Sequence, residues 1–309
     1  MEEILNLISL TKNNIKDIKL KIDCLEQNLE LIKKSINQEV VIQGSPIIKN
    51  PENQKTILDL VKSSEWPLAI PEYQILDDSS EEEKKERAEG IINFFLDDEV
   101  IGKKILDLGC GEGHCVIAAA KERASLSIGY DIAKKGNLDW EEEKEKYLIT
   151  TSLDKVRKKG PYDIILIYDV IDHIENIHPI DLLRTAKNLL KPDGKIHIRF
   201  HPWSSRHGGH VYKQLNKAFI HFILNDQELQ SFNIELNNTL SVYKPVVTYK
   251  ELIEQSNLSI EKENIEREIV EDFFEKNNQI RNRILKNFEV KEFPRQQMEM
   301  CFVDFVLTH

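Results

Sequence analysis

No run of apolar residues in this chain approaches the roughly 18 that a membrane-spanning helix requires. No apolar stretch near the start has the form of an export signal. The four cysteines, Cys24, Cys110, Cys115 and Cys301, lack the paired spacing of a metal site or a disulfide framework. These absences point to a cytoplasmic protein in a reducing compartment. Basic charge is also short, with a net charge of −11. Phosphate binding depends on clustered Lys and Arg, so a broad nucleic-acid groove is disfavoured. There is no internal repeat and no low-complexity tract. The 309 residues, 40% of them hydrophobic, are enough for one large α/β domain with accessory elements.

The most informative stretch is Lys103-Lys-Ile-Leu-Asp-Leu-Gly-Cys-Gly-Glu-Gly-His114. Ile105 to Leu108 form the short apolar run of a buried parallel strand. Gly109, Gly111 and Gly113 then allow a sharp turn and a close backbone approach to a ligand. The residues His114 to Arg123 read as the helix that returns along the strand. A dinucleotide fingerprint needs G-x-G-x-x-G, and here the third glycine comes one position early, with His114 where that fingerprint requires glycine. The pattern that stands is D-x-G-x-G-x-G, led by Asp107. Asp107 to Gly113 resembles the first motif of the class I S-adenosylmethionine-dependent methyltransferases.

The resemblance extends along the chain. Ser125 to Asp131 reads as a second strand whose closing carboxylate, Asp131, lies 20 residues after Gly111. Such folds place an acid at about that offset on the ribose hydroxyls, and an ionised carboxylate accepts both protons. Tyr147 to Thr150 reads as a third strand. Pro161 to Ile174 reads as a fourth, running into a loop rich in Asp and His. Ile180 to Leu190 has helical period, Lys191-Pro-Asp-Gly194 reads as a turn, and Lys195 to Phe200 as a fifth strand. The resemblance thus spans at least Lys103 to Phe200. It implies a Rossmann-like, doubly wound, mostly parallel seven-stranded α/β sheet with S-adenosyl-L-methionine as cofactor. It further implies cofactor contacts from Asp107, Gly109, Cys110, Gly111, Gly113, Asp131 and Ile132. Ser152 and Leu153 are implied beside the adenine, and Asp169 at the methionine portion.

The heptad seam at the start is a separate feature. Ile8, Ile15, Ile22, Leu29 and Ile36 occupy a positions, and Ile4, Thr11, Ile18, Leu25 and Ile32 occupy d positions. Isoleucine at both favours more than two strands, so residues 1–38 predict a coiled-coil helix that assembles a homotrimer or homotetramer. A helix laid on its own domain is the competing reading. Residues 39–80 read as a linker with a short helix at Thr56 to Val61, followed by a segment in which Trp66 and Tyr73 pack or cover the pocket. The charges of Ser79 to Glu89 read as the solvated face of a serine-capped helix. Residues 81–309 form the methyltransferase-like domain, with insertions at about 203–245 and 268–296. Helices are expected at Val211 to Asn237 and at Ile269 to Lys286. Thr248 to Ser256 reads as a further helix, with strands at Leu258 to Asn264 and Met298 to Leu307.

After the fifth strand comes His201-Pro-Trp-Ser-Ser-Arg-His-Gly-Gly-His210. In an open α/β sheet this segment faces the acceptor. His201, His207 or His210 is expected to take the acceptor proton, Arg206 to orient the acceptor, and Asp172 and His173 to compete for the base role. A metal held by His201, His207 and His210 with Asp172 or His173 is a weaker alternative, because no H-x-x-H or H-E-x-x-H pair is present. The sequence therefore predicts methyl transfer, without a metal site, to oxygen of a small-molecule or sugar-like acceptor. A coiled-coil-assembled binding or scaffold module without turnover is the alternative.

Overall fold

The computed structural model describes residues 55–70, 80–174, 179–236 and 244–309. The heptad seam and Tyr73 lie outside the described residues. Helix α1 (Ile57–Lys62) starts at a Thr56/Asp59 capping box. Helix α2 (Glu81–Phe95) starts at a Ser80/Glu83 box that satisfies two otherwise unpaired donors reciprocally. Strand β1 (Lys104–Leu108) leads to α3 (His114–Lys121), β2 (Leu126–Tyr130), β3 (Tyr147–Thr150), α4 (Leu153–Lys159) and β4 (Tyr162–Tyr168). Helix α5 (Pro179–Leu189), β5 (Leu190–Phe200), α6 (Ile220–Ile223), α7 (Asp226–Gln230) and α8 (Val246–Gln255) follow. The chain ends with β6 (Ser259–Arg267), α9 (Asp272–Lys276), α10 (Asn278–Asn287), α11 (Arg295–Met298) and β7 (Met300–Thr308).

The seven strands form one sheet in the order β3-β2-β1-β4-β5-β7-β6. Pairings from β3 through β5 are parallel, and β7 runs antiparallel to both neighbours. The expected mostly parallel sheet is therefore present. The central strands β1 and β4 are buried along almost their whole length, because helices cover both faces. β7 instead alternates, burying Cys301, Val303, Phe305 and Leu307. The edge strand β6 carries Glu261, Lys262, Glu263, Glu266 and Arg267 and is largely exposed, a charged edge that resists further strand pairing. Strand order reverses between β1 and β4, so a crevice opens at their carboxyl ends.

Three expectations need correction. The Lys191-Pro-Asp-Gly194 turn is absorbed into β5: Tyr162 pairs with Leu190 and Ile164 with Lys195, so the extra residues form an irregularity within the ladder. A Cβ at Gly194 would lie 2.9 Å from the Asp163 carbonyl oxygen, which shows how closely the two backbones pass. The helix expected over Val211 to Asn237 is confined to α6 and α7, and that over Ile269 to Lys286 breaks at Asn277, whose side chain caps α10. Burial overrides helical period in both segments. Together with α1 they build a second apolar core, with Trp66, Trp203, Phe219, Phe222, Phe274 and Ile284 among its members. Trp66 fills a packing role there. It is 1% exposed, its indole N–H donates to the Ala218 carbonyl at 2.8 Å, and its ring meets Phe273 and Phe274 edge-on.

Candidate functional site

The glycine loop follows β1 at the point where strand order reverses. The amides of Gly109 and Cys110 both donate to the Tyr130 carbonyl, and Gly113 donates to the Cys110 carbonyl, closing the turn. Gly109, Gly111 and Gly113 all have left-handed φ, at 96°, 54° and 93°. A Cβ at Gly109 would strike Val170, and one at Gly113 would strike Ile149. One at Gly111 would meet nothing within 4 Å, because it would project into open cavity. That cavity has a volume of about 300 Å³ and is lined by Asp107, the three glycines, Cys110, Tyr168 and Asp169.

Asp107 is buried at the cavity wall. Burial, reinforced by the charge of Asp131, pushes its carboxyl up to about 7. An acid so placed is suited to a cationic ligand group, such as an α-ammonium, that would restore its ionised form. Asp131, at the end of β2, accepts from the Gly111 amide at 2.9 Å, the Ala133 amide at 3.3 Å and Lys135 Nζ at 3.2 Å. These donors fix its rotamer and leave it lone-pair capacity for a diol. Ile132 follows as a 79% exposed apolar side chain. Ser152 caps α4 through the Lys155 amide, and Leu153 is that helix's first residue. Asp131, Ile132, Ser152 and Leu153 gather at the carboxyl ends of β2 and β3 and do not line the cavity, which lies on the Asp107 to Asp169 side.

Sequence reasoning missed two supports of this site. Glu141 accepts from Thr150 Oγ1, the Thr151 amide and Lys155 Nζ, bracing the corner after β3. Burial pushes its carboxyl upward, but these bonds outweigh it and pull the group down to about 2. The charges of α2 are also not merely a solvated face. Lys84 and Arg87 line the cavity, Lys84 reaches Glu112 at 2.7 Å, and His114 lies 3.2 Å from Glu81. No local pattern marks these contacts, because the partners of Lys84 and Glu81 lie about 30 residues away.

Asp169, the last residue to line the cavity, also neighbours the histidine loop. This residue has φ +51°, its amide donates to the Arg199 carbonyl, and Oδ1 has no hydrogen-bond partner. His201 Nε2 stands 3.8 Å from that oxygen, and His201 Nδ1 is 3.0 Å from His207 Nε2. The His210 ring lies 5.5 Å from His201 and 4.9 Å from His173, centre to centre. The structure thus brings together Asp169, Asp172, His173, His201, His207 and His210. Burial, aided by the neighbouring imidazoles, holds His201 well below the ordinary histidine range and His210 at about 4, so both are neutral at pH 7. Burial also raises Asp169, with help from the Asp172 charge, and raises Asp172, each to about 7. The Gly208-Gly209 pair lets the loop fold this tightly: a Cβ at Gly208 would lie 2.5 Å from the Trp203 carbonyl oxygen, and one at Gly209 would lie 2.2 Å from His221 Cβ.

Arg206 departs from its expected place facing the acceptor. Its guanidinium donates to the carbonyls of Leu68 and Ile269 at 2.7 Å each and to Glu271 at 2.5 Å. A buried guanidinium needs all its donors met, and here two distant backbone segments meet them. Arg206 therefore ties the segment before α2 to the second insertion.

A glycine cradle at the switch of a doubly wound sheet, flanked by two carboxylates, defines the cofactor half of a methyl-transfer site. Residues 80–263 match the methyltransferase domain family, and the chain belongs to that family. S-adenosylmethionine is the cofactor this class of site takes. Ubiquinone biosynthesis O-methyltransferase of Vibrio campbellii is 31% identical over 113 residues, covering 34% of this chain and 47% of the relative. The enzyme of the same name from Escherichia coli O7:K1 is 28% identical over 103 residues, covering 31% and 42%. The chain thus spans about half the length of these curated relatives. A solved S-adenosylmethionine-dependent methyltransferase from Archaeoglobus fulgidus aligns over 74% of this chain and 95% of its own, at 18% identity and a TM-score of 0.41. Among the described residues no helix is long and apolar enough to cross a membrane.

Proposed function

We propose that the protein transfers the methyl group of S-adenosylmethionine to an oxygen atom of a small-molecule or sugar-like acceptor. The carrying observation is the junction at Asp169, which lines the cofactor cavity and stands 3.8 Å from His201 Nε2. When bound, the cofactor supplies an activated methyl on a sulfonium. The protein's part is in-line positioning and removal of one proton. With cofactor and acceptor bound, His201 Nε2 would take the acceptor's proton as the activated methyl is transferred, and Asp169 beside it would hold the methionine end in line. The loop behind His201 supports that tautomer. His207, Glu268 and Cys301 each offer one ligand-capable atom, and these lie within 4.8 Å of one another, so the Glu268 charge acts on the His207 imidazole. The Glu268 charge favours a proton on His207 Nδ1, which lets His207 Nε2 accept from His201 Nδ1–H and leaves His201 Nε2 bare.

Asp107, Gly109, Cys110, Gly111, Gly113, Asp131 and Ile132 hold the cofactor in this reading, with Ser152 and Leu153 at the adenine and Asp169 at the methionine end. The curated relatives are O-methyltransferases by name, which supports oxygen as the accepting atom. In this reading residues 1–38 assemble the enzyme into a homo-oligomer, and the scattered cysteines fit a reducing, cytoplasmic setting. Calorimetry with S-adenosylmethionine, followed by a methyl-tritium transfer screen over phenolic and sugar acceptors, tests the proposal. The expected result is binding plus labelled product that is lost in His201→Ala. Absence of cofactor binding overturns the enzyme reading, and binding without product on any acceptor favours the scaffold alternative.

A further inference from the structure

The geometry points to a divalent transition-metal site formed by Asp172, His173 and His210 next to the cofactor cavity. Each of the three offers one ligand-capable atom, and these atoms lie within 4.8 Å of one another. Asp172 and His173 come from the tight turn Ile171–His173 after β4, and His210 comes from the loop after β5. A bound ion would therefore fasten the first insertion to the carboxyl end of the sheet.

Two further observations make this more than a cluster. Asp172 is 5% exposed, and neither carboxylate oxygen has a hydrogen-bond partner; His173 Nε2 stands 3.7 Å from Oδ2, beyond hydrogen-bond reach, and the backbone N–H groups of Asp172 and His201 lend electrostatic support. His210 Nε2 is likewise buried without a partner, and its residue is held at φ +53°. A buried carboxylate left unpaired is destabilising, and a non-glycine residue at such a φ adds backbone strain. Both costs are offset if the groups converge on a cation. In the other two clusters of possible ligands a cationic side chain already stands beside the acids, although His207 Nδ1 and Glu268 Oε2 also lack hydrogen-bond partners. Lys84 already bridges Glu81 and Glu112 beside His114, and Arg206 stands 3.5 Å from Glu268 beside His207 and Cys301.

The donor set identifies the metal class. Two neutral imidazoles and one carboxylate suit zinc, cobalt, iron, nickel or manganese, whereas magnesium and calcium prefer all-oxygen sites. Three protein ligands leave positions open for an acceptor oxygen. Resting on the methyl-transfer reading, the ion would hold that oxygen and lower the pKa of its proton, and His201 would receive the proton.

The test uses the full chain, stripped with a chelator and titrated with Co²⁺ in the absence of cofactor and acceptor. Its outcome is therefore independent of the methyl-transfer reading, which cofactor calorimetry tests separately. The expected result is one Co²⁺ per chain with a visible d–d absorption, and at least tenfold weaker binding in Asp172→Asn and in His210→Ala. Glu81→Gln, in the exposed trio, should bind as the wild type does. Circular dichroism establishes that the variants are folded. Should either variant fail to fold, the wild-type protein decides by NMR, where Co²⁺ should shift the His173 and His210 imidazole signals and leave His309 unmoved. Absence of stoichiometric binding, undiminished binding in folded Asp172→Asn and His210→Ala, or shifts confined to other histidines overturns the site.

Discussion

Asp107→Asn should stabilise the protein without cofactor while weakening the cofactor site. In the folded chain the carboxyl is buried and raised from 3.8 to about 7 by desolvation and by Asp131. Below about pH 4 both folded and unfolded chains hold the proton and the group contributes no penalty. Between about pH 4 and 7 the unfolded chain has released the proton and the folded chain retains it. Folding then takes up a proton and stability falls as pH rises. Above about pH 7 the penalty is constant. A rise of about three units corresponds to about 4 kcal/mol in full, of which about 2 to 3 kcal/mol develops between pH 5 and 8. Relaxation and water entry from the adjoining cavity reduce this to about half. Asparagine does not titrate, so the stability of Asp107→Asn minus that of the wild type should grow by about 1 to 2 kcal/mol over that interval. Urea unfolding of both proteins at half-unit pH steps measures the difference, and calorimetry should find weaker S-adenosylmethionine binding in the variant at pH 8. Parallel stability profiles from pH 5 to 8 would show that Asp107 carries no desolvation penalty, and the account of it as a site awaiting a cationic group would fail.

Two further outcomes follow from the packing. Gly113→Ala places a Cβ 2.4 Å from Ile149 Cδ1 at φ +93°, and it should cost about 2 kcal/mol and at least tenfold in cofactor affinity. Ile149→Ala in the same chain should recover only part of either loss, since it relieves the clash and not the backbone strain. Full recovery would refute the role given to φ. Arg199 donates to Asp304 at 2.6 and 2.8 Å and to Glu266 at 2.6 Å, with Phe94, Phe95 and Phe302 around its guanidinium. Arg199→Met should destabilise by about 3 kcal/mol in urea, because it strands the Asp304 charge, and Asp304→Asn should recover part of that. A loss below about 1 kcal/mol would contradict the pairing.

The glycine turn and the strands around it were legible because their signals are local. An apolar strand, glycines at positions that need left-handed φ, and a carboxylate closing the next strand are all set by neighbours in the chain. The acceptor half was only partly legible. The histidines of 201–210 drew notice by crowding, but Arg206 looked like a substrate contact and proved to clasp Leu68, Ile269 and Glu271. Helical period over 211–237 and 269–286 misled in the same way, since those residues are placed by a shared apolar core rather than by their own helices.

Sequence by itself determined the order of the sheet strands, the glycine cradle and the family, because backbone conformation and strand burial follow from residues close together. Tertiary structure decided that Lys84 and Arg87 face the cofactor cavity and that Asp172, His173 and His210 converge. It also decided which buried groups remain without partners. Those facts depend on the electrostatics and close packing of segments tens to hundreds of residues apart, and one-dimensional spacing carries no record of them.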